Sequence, residues 1–330
     1  SFIFYNKKNF RNKIEIIKKF KKKFITIGII DFKEIDEYKE KFKIDYLYTQ
    51  KSGNKDNWES QKIKTLIHAV YPQKINQIHG YNYAYISEWL SNNFSNKKIP
   101  CISLITEEKK ITSNLRKNLN IKKKNTIFGC HGGESSFDMK FVQSAVLNIA
   151  KKRKDIFFIF LNINKFCNHP QIMFLKGTSN ESFKKKFVNT CDAMIYGRSL
   201  GESFGLACAE FAIKSKDLIS YKFNRHRSHE FNVSKKNFLE YSSYSSLYKL
   251  LINYKKKKDN TFNSKYKKYT EKKIMYDFNK FFLRGKNKIQ FSLNDYLINY
   301  YSHFVMVYLY IRHKMYNHYF NYFYSKYLIK

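Results

Sequence analysis

No CxxC pair occurs among the five cysteines, Cys101, Cys130, Cys167, Cys191 and Cys208, which are odd in number and far apart. Neither a disulfide framework nor a zinc site is indicated, and a reducing, cytoplasmic compartment fits them best. No signal peptide opens the chain, whose first residue is Ser rather than Met, so the sequence reads as a piece of a longer protein. No charge-free apolar run approaches the ~20 residues that a membrane span needs. The longest, Phe304 to Ile311, is too short. Acidic residues are also few, 26 against 63 basic ones, for a net charge of +37. Arginine is scarcer still: eight of the 63 basic residues are Arg and 55 are Lys.

That last scarcity decides how the charge is read. A charge of +37 suggests a nucleic-acid binder, because clustered cations neutralise phosphates and release counterions. Arg, however, is the residue suited to bidentate phosphate and base-edge contacts. Lys, Asn, Ile, Tyr and Phe, whose codons are written almost wholly in A and T, are abundant here. With 3 Pro and 11 Gly, the GC-coded residues are rare. Codon bias accounts for most of the lysine, and specific nucleic-acid binding is not expected.

At 330 residues, about two domains fit a prior of ~150 residues each. Short apolar runs alternate with longer mixed stretches, the pattern of a parallel α/β protein. Strands are expected at Phe24–Ile30, Asp45–Tyr48, Thr65–Tyr71, Tyr83–Ile86 and Ile99–Ile105, with helices at Asn9–Lys22, Phe32–Lys43 and Ser87–Asn93. The run Lys109–Asn125 reads as a connection. Beyond it, strands are expected at Thr126–Cys130, Asp155–Asn162, Gln171–Leu175, Asp192–Ile195 and Leu218–Tyr221, and helices at Asp138–Lys151, Glu181–Asn189 and in Gly201–Lys214. From about Phe238 the pattern is helical, with segments at Tyr241–Tyr254, Lys267–Leu283 and Asn294–Leu328. The expected organisation is two Rossmann-like domains facing a cleft, residues 1–120 and 121–265, then a helical extension over 266–330. The tyrosine-rich last helix either packs back on the domains or lies on an anionic membrane surface.

One segment carries chemistry: Cys191-Asp-Ala-Met-Ile-Tyr-Gly-Arg-Ser-Leu-Gly-Glu-Ser-Phe-Gly-Leu-Ala-Cys-Ala-Glu-Phe211. A strand runs into a glycine turn and then into a helix expected to begin near Phe204. Free amides at such a turn favour an anion, most often a phosphate. Glu202 and Glu210, about two helical turns apart, are expected on roughly one face. One carboxylate would reach a sugar hydroxyl and the other a ribose diol. The same spacing also fits a surface helix with two solvated glutamates.

Glu202-Ser-Phe-Gly-Leu-Ala-Cys-Ala-Glu210 resembles the Glu, seven residues, Glu motif of group 1 retaining glycosyltransferases of the GT-B fold. Thr126-Ile-Phe-Gly-Cys-His-Gly-Gly133 resembles the first strand and glycine turn of their donor domain, and Asp155–Asn162 and Cys191–Met194 resemble later strands. The likeness covers about Ile121 to Phe231 and is loose before it. It implies that Glu210 binds the nucleotide ribose, and that Glu202 contacts the transferred sugar. Ser203 and the amides of Phe204, Gly205 and Leu206 would meet the donor's phosphates or sugar, and Gly132 and Gly133 would admit the diphosphate. The chain departs from the family at Cys130-His-Gly-Gly-Glu-Ser-Ser-Phe-Asp138, where many members carry an Arg and, five residues on, a Lys. Arg198, Lys140 and Lys176 are the candidate substitutes for that cation.

Other segments admit two readings each. His79 and His68 are candidate acceptor or sugar contacts, or satisfied structural histidines. Gly53-Asn-Lys-Asp56 is a loop facing the cleft or a surface turn. Arg225-His-Arg-Ser-His229-Glu230 is a wall of the nucleotide pocket or a solvated loop; one HxxH without a third ligand is weak evidence for a metal. Phe158, Phe160, Phe166 and Phe174 read as core. The runs Lys184–Lys186 and Lys255–Lys258 are solvated faces first and anion footprints second. The expected activity is metal-independent transfer from a nucleotide diphosphate sugar, with no cofactor, to a glycan, lipid or protein acceptor, with peripheral contact to an anionic membrane. The alternative is a non-catalytic polyanion- or membrane-binding module on the same fold.

Overall fold

A computed structural model describes residues 1–106, 112–256, 264–285 and 289–327. Residues 109–111 of the expected connection, 257 and 258 of the second lysine run and 328 of the last helix lie outside them.

The N-terminal unit holds two separate parallel sheets. Strands β1 (Phe2–Asn6) and β2 (Ile25–Ile29) flank helix α1 (Ile14–Lys21), and β3 (Tyr46–Lys51), β4 (Lys64–Ala69) and β5 (Asn82–Tyr85) form a three-stranded sheet. Between β2 and β3, a 3-10 turn capped reciprocally by Asp31 and Glu34 leads into α2 (Tyr38–Phe42). β4 is central, and every residue after Lys64 is buried, as expected of a parallel strand covered on both faces. The two sheets do not join: a cavity of about 850 Å³, lined by Phe4, Ile29, Leu47 and Tyr48 among others, separates β1 from β3. β1 is a strand that the sequence reading did not anticipate. Ile99–Ile105, by contrast, is no strand. It makes one bridge, Cys101 to Tyr85, in which the Ile102 amide donates to the Tyr85 carbonyl while Pro100 has no amide to extend the ladder. Helix α3 (Glu88–Ser95) follows, with the Ser87 hydroxyl accepting from the Leu90 amide at 3.2 Å.

The second unit is a six-stranded, fully parallel sheet in the order β13-β11-β9-β6-β7-β8. Its strands are β6 (Thr126–His131), β7 (Ile156–Leu161), β8 (Ile172–Leu175), β9 (Ala193–Ile195), β11 (Asp217–Tyr221) and β13 (Phe238–Tyr241), crossed by α4 (Lys140–Lys152), α5 (Glu181–Thr190) and α6 (Leu206–Ile213). A two-stranded appendage pairs β10 (Gly201–Glu202) with β12 (His226–Arg227), followed by α7 (Ser228–Asn232). β13 corrects the expectation of continuous helix from Phe238: its residues pair with Leu218–Tyr221 at the sheet edge, and helix α8 (Tyr244–Ile252) starts only after it, capped by Ser243. Phe158 stacks on Phe128 and Phe160 on Phe174, with Phe166 edge-on to Phe160.

The chain then returns to the first unit. Helix α9 (Glu271–Phe278) ends in a π turn whose Phe282 carbonyl, with that of Gly285, accepts from the Asn82 amide nitrogen at 2.8 Å. Helix α10 (Leu293–Tyr327) packs against α3 and α4. One hydrophobic cluster therefore runs from Leu66 in β4 through Phe128 in β6 to Phe320 in α10.

Candidate functional site

Strand order locates the site before any side chain is considered. From β6 the sheet grows through β7 and β8 to one side and through β9, β11 and β13 to the other, so the winding reverses between β6 and β9. Ligands of open α/β sheets bind outside the carboxyl ends of the strands at such a reversal. Two turns meet there: His131-Gly132-Gly133 after β6, and Tyr196-Gly197-Arg198-Ser199 after β9. The first is held by Asn162, whose amide nitrogen donates to the Gly132 carbonyl at 2.7 Å. The second is held by Asp138, which accepts from the Ser199 amide at 2.8 Å and its hydroxyl at 2.7 Å.

The two glutamates do not share a helix face. Gly205 sits at φ +87° as the cap of α6, and no L side chain adopts that conformation easily, so the helix begins at Leu206 rather than near Phe204. Glu202 consequently stands on β10, while Glu210 lies in the second turn of α6. No side chain caps α6, and its leading amides have no partner inside the helix. Phe204 is buried, with its carbonyl accepting from the Tyr266 hydroxyl at 2.8 Å. Gly201, at φ +76°, lies so close to the His226 carbonyl that an added Cβ would overlap it. Gly201→Ala is therefore expected to lower stability by about 1–3 kcal/mol, read as a shift of the urea midpoint.

Glu202 is a partly buried carboxylate with two donors: the Tyr196 hydroxyl at 2.9 Å and Arg198 Nη1 at 3.3 Å. Its other face meets the β12 segment, Glu202 standing in register with Arg227. Glu210 has a different environment. Its Oε2 lies 2.9 Å from His131 Nε2, and it lines a cavity of about 330 Å³ with Lys184, Lys185 and Val188 of α5, Leu206 of α6 and Ile105. Lys184 and Lys185 thus line a cavity of mixed charge, shared with Lys214 and with Glu181, Glu210 and Glu271, and do not simply form a solvated face. The sequence reads them as a solvated face first and an anion footprint second, and their spacing to buried Val188 on α5 is the signal that points them toward α6.

Among the proposed cations, Arg198 reaches the site. Lys140 opens α4 beside the second turn, where the Met139 amide donates to the Gly197 carbonyl at 3.2 Å, but its side chain is exposed. Lys176 follows β8 and is likewise exposed, and neither lysine lines the cavity at Glu210.

The N-terminal histidines stand apart from the glutamates. His68 is buried between the Tyr48 hydroxyl and the Ile102 carbonyl, both at 2.7 Å, and burial lowers its pKa to about 4. His79 contacts the Gln77 carbonyl at 2.8 Å, Lys51 Nζ at 3.1 Å and the Tyr83 ring, all within its own unit. Gly53 is internal too, its carbonyl accepting from the Tyr83 hydroxyl. What the first unit brings to the cleft is aromatic. Tyr71, just past β4, and Trp89, on α3, lie 5.6 and 6.0 Å from the His226 ring. His226 is buried, its Nδ1 has no partner, and burial with Arg225 and Arg198 lowers its pKa to about 3. It is a neutral imidazole at physiological pH. His229 turns away to the Ser220 hydroxyl and the Tyr196 ring, so the HxxH pair does not converge on one point, and no third ligand joins it among the described residues.

No family model matches the sequence, and no curated protein is similar to it in sequence. Solved structures are similar in fold. A glycosyltransferase from Rickettsia africae superposes with a TM-score of 0.54 at 13% identity, over 93% of this chain and 89% of that one. The MnaA protein of S. aureus, solved with UDP, gives 0.53 at 10% identity, over 82% and 85%. The Anabaena protein HepE, solved with UDP and glucose, gives 0.51 at 10% identity, over 71% and 77%. These likenesses show the fold: two α/β units of the GT-B glycosyltransferase type with a C-terminal helix.

Proposed function

We propose that the protein transfers a sugar from a nucleotide diphosphate sugar to a glycan, lipid or protein acceptor. The observation that carries this reading is the placement of Glu202 and Glu210 on either side of the uncapped start of α6, at the reversal of the sheet. The solved structures with UDP and with UDP and glucose have the same fold and support it. Glu210 takes the ribose diol in the cavity that Lys184 and Lys185 also line. The amides of Phe204, Gly205 and Leu206, with Gly132 and Gly133 opposite, hold the diphosphate. Glu202 orients the sugar, aimed by its contacts with Tyr196 and Arg198. In the reaction the bond from the anomeric carbon to the diphosphate oxygen breaks, that oxygen leaves with the electron pair, and an acceptor oxygen bonds to the carbon while its proton passes to the departing diphosphate or to water. Arg198 and the preorganised amides stabilise the departing charge. Membership of the group 1 family and retention of configuration follow from the resemblance of the Glu202–Glu210 motif. Tyr71, Trp89 and the unpartnered Nδ1 of His226 form the acceptor side of the cleft.

A second reading, a non-catalytic module on this fold, draws on the absence of any basic residue between Cys130 and Asp138 except His131. Calorimetry separates the two. UDP, GDP or ADP is expected to bind, and Glu210→Gln to weaken that binding by about tenfold, a loss of ~1.4 kcal/mol for a charge-assisted hydrogen-bond pair. Heat from none of the three nucleotides would establish the module instead.

A further inference from the structure

Helix α10 packs a mixed face against the protein, where Leu309 and Phe320 are buried beside polar side chains, and leaves an apolar face exposed. Facing the protein are Asp295, Asn299, Ser302 and His313. The Asn299 amide nitrogen donates to the carbonyls of Gln73 at 2.9 Å and Phe94 at 2.7 Å, the Ser302 hydroxyl donates to the Asn93 carbonyl at 2.6 Å, and Asp295 accepts from the Asn96 amide nitrogen at 3.1 Å. Facing outward are Leu297, Tyr300, Phe304, Val307, Ile311 and Met315, 49 to 68% exposed and spaced three or four residues apart, as one stripe of a helix requires. A continuous exposed apolar stripe of this length marks an interaction surface.

We propose that this face of α10 seats the protein on the surface of an anionic membrane. Charge selects that occupant. From Tyr296 to Lys330 the sequence holds no Asp or Glu, and the chain as a whole carries +37. Three cations gather against aromatic rings at this helix: Arg225 lies 5.0 Å and Lys314 4.9 Å from the Tyr310 ring centre, and Arg312 lies 3.8 Å from that of Phe223. Tyrosines among aliphatic residues, flanked by Lys and Arg, suit the boundary between headgroups and acyl chains. A second copy of the chain is the poorer occupant, because two surfaces of the same strong positive charge repel each other. Among the described residues no helix is long and apolar enough to cross a membrane, so α10 lies on the surface. The inference is independent of sugar transfer.

Vesicle sedimentation tests it, using phosphatidylcholine alone and phosphatidylcholine with about a third phosphatidylglycerol, a composition that supplies a negative surface potential. The wild type is expected to sediment with the mixed vesicles at least tenfold more strongly than with the neutral ones, and less so as salt is raised. The variant Phe304→Asp/Ile311→Asp is expected to lose at least tenfold of that binding while keeping its circular dichroism and UDP affinity. Phe304→Gln/Ile311→Gln serves the same purpose should the aspartates unfold the helix. A wild type that stays in the supernatant, or a double variant that sediments as the wild type does, overturns the proposal. So does a wild-type dimer that the double variant converts to monomer without any vesicle binding, because the stripe would then be covered by a second copy.

Discussion

Arg198→Ala is expected to slow sugar transfer by about two to three orders of magnitude, the typical effect of deleting one preorganised group at a developing anion. Arg198 is the cation that the fold delivers to the α6 turn, 3.3 Å from Glu202, and the neighbouring loop lacks the basic pair expected after β6. The substitution also leaves Glu202 with one donor, the Tyr196 hydroxyl, and frees the carboxylate to turn from the sugar. Arg198→Lys keeps the charge but loses the planar fork, so an intermediate rate is expected. Because the two side chains form one unit, Arg198→Ala combined with Glu202→Gln is expected to cost far less than the product of the single losses. Steady-state kcat and KM with a panel of nucleotide sugars would show it. A wild-type kcat in Arg198→Ala would move the leaving-group cation to another residue, with Lys140 and Lys176 next to be tested.

A steep loss of stability in mild acid is the second large effect. His68 has its pKa lowered to about 4, and His226 and His229 to about 3, in each case chiefly by burial. The unfolded chain binds protons at these positions below about pH 6.5, whereas the folded protein does not. The histidine contribution is therefore complete above that pH and falls as the pH drops. Each histidine contributes a slope of about 1.4 kcal/mol per pH unit. Glu230 acts in the opposite direction. Burial raises its pKa to about 7 against the pull of Arg227, so its contribution is lost as pH rises through 7 and offsets one histidine in acid. The net slope is about 3 kcal/mol per unit between roughly pH 6 and 4.5, against a usual total of about 5–15 kcal/mol. Urea midpoints at pH 7, 6, 5 and 4.5 would register the decline, and His229→Asn should make it shallower. A flat profile would mean that these imidazoles are protonated without unfolding.

The α/β alternation was legible because each buried strand announces itself locally. Ile156–Leu161 and Asp217–Tyr221 are apolar runs bounded by polar turns, and parallel strands covered on both faces need such runs. β1 and β13 were not legible for the converse reason. As strands of half-exposed composition, Phe2–Asn6 and Phe238–Tyr241 carry no more apolar signal than a helix turn, and their state depends on the neighbours they pair with. The motif stands where strand turns into helix, but the helical spacing of Glu202 and Glu210 misled: one left-handed glycine, Gly205, separates strand from helix and gives the two carboxylates different surroundings.

By itself the sequence determined the main strands and helices of the second unit from β6 to β11, the glycine turn at Gly201–Gly205, and the identity of the two carboxylates, because these follow from local pattern and backbone conformation. Tertiary structure alone decided that Lys184 and Lys185 share a cavity with Glu210, that Tyr71 and Trp89 rather than His79 pack against His226, and that α10 turns an apolar face outward. Those are contacts between segments far apart in the chain, and no spacing within a segment encodes them.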